Sequence, residues 1–77
     1  MKTYVNVYAV FDTLGQIMPR AIIWEDGRKF PIDRILHIDR RASLRSGGAG
    51  LRYHVVIAGH QRYLYLEETK WFVEPAE

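Results

Sequence analysis

The sequence predicts an all-β domain, either a small SH3-like barrel or a strongly bent antiparallel sheet of five to six short strands. Three observations lead there. Apolar and polar residues alternate with period two in several short runs, turn-forming residues punctuate those runs closely, and no stretch holds a clear helical period. A chain of 77 residues is near the lower limit for one hydrophobic core, so residues 1–77 are expected to form a single domain.

Residues 3–11 read T-Y-V-N-V-Y-A-V-F. Val5, Val7, Ala9 and Phe11 share one face, and Tyr4, Asn6 and Tyr8 the other, as in a half-buried strand. Asp12-Thr13-Leu14-Gly15 is a turn, in which Asp bonds nearby backbone and Gly accepts a positive φ. Residues 16–24 form a second strand, with Pro19 marking an edge or a bulge because it has no N–H to donate.

Asp26-Gly27 then predicts a two-residue type I′ hairpin. That turn places Glu25 opposite Arg28, Trp24 opposite Lys29, Ile23 opposite Phe30, Ala21 opposite Ile32 and Arg20 opposite Asp33, with Ile23 and Phe30 buried. Pro31 is expected to blunt the next strand. The mixed spacing of Ile32, Ile35, Leu36 and Ile38 fits a bent strand or a short helical turn, and a strand over 35–41 is the favoured reading. Residues 42–50 are a loop by composition. Residues 51–58 and 61–67 form a second hairpin around Gly59-His60. With an even-numbered loop, Leu51, Tyr53, Val55 and Ile57 share a face with Leu64 and Leu66, leaving Arg52, His54, Val56, Tyr63, Tyr65 and Glu67 on the other. Residues 70–74 close the domain. Phe11, Phe30, Tyr53 and one of Trp71 or Phe72 are the expected aromatic core.

The formal net charge is only +2, but its distribution is uneven. Residues 34–62 hold six arginines against one acid, Asp39, giving +5, and the remainder carries −3. A basic middle in an acidic frame attracts anionic partners, although arginines also serve simply to keep strands soluble. Arg40, Arg41, Arg45 and Arg52, with Tyr63 and Tyr65, are the candidate nucleic-acid-binding residues: the arginines would neutralise phosphates and the tyrosines stack on bases. The same tyrosines suit a protein interface.

Catalytic and metal chemistry find little footing. Ser46-Gly47-Gly48-Ala49-Gly50 lacks the lysine and hydroxyl of a phosphate-binding loop. Arg40-Arg41-Ala42-Ser43-Leu44 is like a basophilic kinase substrate, but short matches of this kind arise readily by chance. His37, His54 and His60 have no zinc-ligand spacing, and no base accompanies Ser43. The expectation is therefore no enzyme, no cofactor and no metal. The chain has no Cys, no leader-like apolar run after Lys2 and no segment approaching a membrane span, which predicts a cytoplasmic protein without a membrane partner.

W-E-D-G-R-K-F-P-I-D-R-I-L-H-I-D-R-R-A-S-L, G-G-A-G-L-R-Y, Y-L-Y-L-E and W-F-V-E together resemble a group of short Firmicutes proteins of unknown function. The resemblance covers the whole chain and implies a bacterial origin, but no activity, cofactor or site residue. The sequence thus predicts a binding module. Nucleic acid is the leading partner, and a protein-interaction or self-associating module without nucleic-acid binding is the alternative.

Overall fold

The computed structural model describes residues 2–42 and 49–76. All regular structure among them is β: β1 (Thr3–Tyr4), β2 (Asn6–Phe11), β3 (Ile17–Ile23), β4 (Lys29–Ala42), β5 (Ala49–Ile57), β6 (His60–Glu67) and β7 (Lys70–Pro75). They form one antiparallel sheet in the order β1-β7-β6-β5-β4-β3-β2. Because β1 and β2 are consecutive, a single N-terminal segment supplies both ends of that order. Thr3 and Tyr4 pair with Val73 and Phe72 of β7, and Asn6 onward pairs with β3. The sheet is thereby curled into a half-barrel, in accord with the bent-sheet expectation. Strands number seven rather than five to six, since the first run changes partner at Val5 and becomes two strands.

The core lies inside the curl. Tyr53, Val55 and Ile57 of β5, Leu64 and Leu66 of β6, Val73 of β7 and Ile22 of β3 form its buried centre. Val5, Val7, Ile17, Trp24, Phe30, Ile32, Ile35, Leu51 and Trp71 pack around them. Tyr53, 1% exposed, donates its hydroxyl hydrogen bond to the Ile17 carbonyl and so ties β3 across the core to β5. Burial pushes its phenol above the ordinary tyrosine range.

The β5–β6 pairing follows the expected faces. Leu51 stands opposite Leu66 and Tyr53 opposite Leu64, while Arg52, His54, Tyr63 and Tyr65 take the outer face. The connection is a two-residue turn of Ala58 and Gly59, both with positive φ (51° and 79°), as a type I′ turn requires. The turn is thus one residue earlier than the Gly59-His60 expectation, with the same parity and hence the same faces.

The β3–β4 turn corrects the expected register by one residue. Ala21 pairs with Pro31, Ile22 with Phe30 and Ile23 with Lys29. The loop is Glu25-Asp26-Gly27, with Gly27 N–H on the Trp24 carbonyl at 2.9 Å and Trp24 N–H on Arg28 at 2.8 Å. A three-residue loop of this kind needs a left-handed residue only at its end, and Gly27 supplies it with φ 86°. Asp26 instead keeps a negative φ and accepts the Arg28 N–H at 3.0 Å. Ile22, not Ile23, consequently reaches the buried core, Ile23 and Phe30 are half-buried, and Arg28 pairs with Asp26 rather than Glu25. The Asp12–Gly15 turn has the same construction, its Asp12 carboxylate accepting from Leu14 and Gln16 N–H.

Pro31 does not end its strand. It marks the point where β4 leaves β3 and takes up β5, beginning with Ile32 opposite Ile57. The strand over 35–41 is present within this longer one. Two bulges explain the mixed apolar spacing, because Asp33 and Leu36 are the extra residues. Each bulge lengthens the inward repeat from two residues to three, so Ile32, Ile35 and Ile38 stand opposite Ile57, Val55 and Tyr53. A third register shift sets Tyr8 against Ala21 but Ala9 against Pro19, so Pro19 adjoins a bulge as expected. Strand structure extends through Ala42 and resumes at Ala49, which shortens the expected loop at both ends. Arg45, the kinase-like Ser43-Leu44 pair and the first residues of the glycine run lie outside the described residues.

Candidate functional site

Strand alternation places one aromatic residue after another on the outer face of β1, β7, β6 and β5. Tyr4 meets Phe72 edge-on at 5.8 Å, and Phe72 stacks against Tyr65 at 4.6 Å with their planes 12° apart. Tyr65 lies 6.3 Å from Tyr63, which lies 4.9 Å from His54. Phe72 is only 3% exposed although it faces away from the core. Tyr4, Tyr65 and the Lys2 ammonium, 4.7 Å from its ring centre, surround it. Trp71 and Phe72 are therefore both well packed, on opposite faces, where one aromatic of the pair was expected in the core.

Arg52 continues the row toward β4. Its guanidinium lies 4.5 Å from the Tyr63 ring centre and donates to Asp39 through Nη2 at 2.6 Å and Nε at 3.2 Å. His37 reaches the other Asp39 oxygen at 2.7 Å. The Arg52 hydrogen bonds hold the Asp39 carboxyl below the usual carboxylate range, and Asp39 in turn raises Arg52. Acids also share this face, for Glu67 lies 3.9 Å from Lys2 and Glu74 stands beside Tyr63 in the register.

The structure thus brings Arg52, Tyr63 and Tyr65 together. Arg40 is exposed on β4 opposite Leu51, a residue of the inner face, and so stands apart from them. Arg41 pairs with Gly50 in the backbone ladder. The rings of Tyr63 and Tyr65 are engaged by Arg52 and Phe72, and the Arg52 charge is engaged by Asp39. The face is a consolidated aromatic packing of mixed charge rather than a basic one.

A second surface escaped the sequence reading. Strand β2 is the last in the sheet order and, among the described residues, pairs only with β3 from Asn6 onward. Tyr8, under the Lys29 ammonium at 4.6 Å, and Val10 are exposed on its outer face, and its hairpin with β3 overruns the core to leave Phe11 (70% exposed) and Leu14 (85%) on the surface. Phe11, expected in the core, keeps its place in the alternation but has no layer beneath it. One signal was available: residues 3–19 contain a single charged side chain, Asp12.

Compared with protein-family models, curated proteins and solved structures, the chain matches none. Among the described residues no helix is long and apolar enough to cross a membrane.

Proposed function

We propose that the domain is a self-associating interaction module that works through the open edge of β2 and the apolar β2–β3 hairpin. The carrying observation is the coincidence there of an unpaired strand edge and four exposed apolar side chains, with only Asp12 and Arg20 charged from Asn6 to Ile23. Exposed edges are ordinarily blunted by charges, and this one carries none within the strand. A hairpin so poor in charge has little with which to select an oppositely charged partner. A second copy, approaching antiparallel about a twofold axis, satisfies both edges with the same residues. The module is a binding protein rather than an enzyme, and the cysteine-free composition and the bacterial resemblance suggest a bacterial cytoplasm.

Sedimentation velocity over roughly a hundredfold concentration range tests this by mass action. The expected outcome is a shift from monomer to dimer, with Val10→Lys weakening association about tenfold or more, ~1.4 kcal/mol. A wild-type chain that remains monomeric throughout overturns the reading.

One arrangement favours a second reading: Arg52, Tyr63 and Tyr65 stand in contact on the outer face, as single-strand recognition uses them. It ranks second because Asp39 and Phe72 already occupy the charge and the stacking face. Oligonucleotide titrations at several salt concentrations separate the two. A backbone-contacting surface gives a slope of about −0.7 per phosphate, and a surface for protein association gives no binding.

A further inference from the structure

Granting self-association through β2, on which this rests, we propose that two copies pair in one register centred on Ala9. In that register the groove between the start of β2 and the β6–β7 turn seats the Asp12–Gly15 turn of the second copy.

Both ends of the strand show which way its backbone groups turn. The Val5 N–H donates to the Trp71 carbonyl of β7 at 3.1 Å, and the Asp12 N–H donates to the Gln16 carbonyl, on the β3 side, at 2.9 Å. Strand backbone groups alternate in direction, so the two bonds agree: even-numbered residues turn toward β3, and Val7, Ala9 and Phe11 turn toward the open edge. An antiparallel twofold mate engages all three in one register alone, with Val7 on Phe11, Ala9 on Ala9 and Phe11 on Val7. Moving the axis to Tyr8 sets Phe11 against Val5, whose N–H is held by Trp71. Moving it to Val10 sets Val7 against Thr13, inside the turn. Centred on Ala9, the smallest side chain of the strand meets its own copy at the axis. On the outer face Tyr8, with the Lys29 ammonium still over its ring, stands beside Val10 of the second copy as an aromatic–β-branched pair.

The register also matches the lengths of the two segments. Opposite Val7 the second copy has reached Phe11 and leaves its strand at Asp12, just where β7 takes over the edge. Its turn then lies over an open groove of about 620 Å³ bounded by Val5, Val7, Thr69, Lys70 and Trp71. Leu14, 85% exposed in the isolated chain, meets Val5, Val7 and Trp71 there. Lys70, in no ion pair among the described residues, stands toward Asp12, whose Oδ1 accepts both turn hydrogen bonds and leaves Oδ2 for the ammonium. Two such seats form in each dimer.

The chain has no cysteine, so single substitutions report the register under mild oxidation. Residues facing each other in a hydrogen-bonded pair have Cα atoms about 5.5 Å apart, within disulfide reach, and diagonal neighbours lie about 7–8 Å apart, beyond it. Ala9→Cys is expected to crosslink the dimer, and Tyr8→Cys and Val10→Cys are not. In sedimentation of the full chain, Leu14→Ser is expected to weaken dimerisation about tenfold or more through the two lost apolar contacts. Lys70→Glu weakens it at low salt and less at high salt. Leu14 and Lys70 are both exposed, so neither change threatens the fold. A wild-type monomer overturns self-association and this pairing together. A wild-type dimer that crosslinks at position 8 or 10, or at none of the three, leaves self-association standing and overturns the register. A dimer indifferent to Leu14→Ser overturns the seat in the same way.

Discussion

Strands β6 and β2 are written in much the same alternating code and meet opposite circumstances. Strand β6 has a neighbour on each side, Leu64 is completely buried, and its outward tyrosines are packed by Phe72, His54 and Arg52. Strand β2 has one neighbour among the described residues, and Phe11, on the same alternating face as Val7, is exposed. Periodicity settles which side chains share a face. Whether anything covers that face is decided by topology, here by where the β2–β3 hairpin outruns β5 and β6.

The largest expected effect tests that difference directly. Leu64→Ala should cost ~2–5 kcal/mol in urea unfolding, through lost burial and the cavity left behind. Phe11→Ala, measured on monomer at low concentration, should stay within about 0.5 kcal/mol. Comparable losses at the two positions would mean that the hairpin is packed and the contrast false.

Tyr53→Phe comes next, because its hydroxyl joins the β3 side of the hairpin to the covered strands. Loss of that bond should cost about 1–2 kcal/mol, since the Ile17 carbonyl is left without its partner. The phenol pKa is raised on folding, so its contribution is fully present below the unfolded pKa and lost as pH rises through the folded one. Alkaline unfolding curves should therefore flatten in Tyr53→Phe, and an unchanged alkaline limb would assign that loss to other groups.

Ala58→Asn should stabilise the domain by ~0.5 kcal/mol, because Ala58 sits at φ 51° and Asn-Gly is favoured in a type I′ turn. A lowered melting temperature would argue against that turn type. The smallest effect is expected at Asp39, whose depressed pKa gives stability present above the ordinary Asp value and lost as pH falls through the depressed one. Asp39→Asn should reduce the acid sensitivity of unfolding while leaving the neutral-pH spectrum intact. An identical acid limb would show that the Arg52 contact adds nothing to stability.

The strands most legible in the sequence are those whose alternation runs unbroken. Leu51 through Leu66 sort onto their faces because an even-numbered turn preserves parity. The β3–β4 register was less legible, since Asp-Gly fits a two-residue loop and also the end of a three-residue one. Only the φ of Asp26 separates them, and its side-chain bond to Arg28 favours the longer loop. The spacing from Ile32 to Ile38 conceals bulges that become visible only against β5. Of the candidate site residues, Arg52, Tyr63 and Tyr65 were grouped by parity alone. The neutralising role of Asp39 and the cover that Tyr4 gives Phe72 depend on contacts between distant strands, and the β2 edge depends on the sheet order.

Among the described residues, every sheet pairing except one joins strands that follow one another along the chain. Successive hairpins of that kind close short loops and form early, at little cost in chain entropy. The exception is β1 on β7, where Thr3 meets Val73 across nearly the whole described sequence. Closure of the curl is therefore the slow, non-local event, and for these two short segments it is also the easiest to reverse. Amides of Thr3 and Tyr4 should exchange with solvent through local opening long before those of Tyr53 or Leu64, which follow global unfolding. Such an opening would uncover Phe72, making the N-terminal segment a latch whose release exposes a second apolar surface.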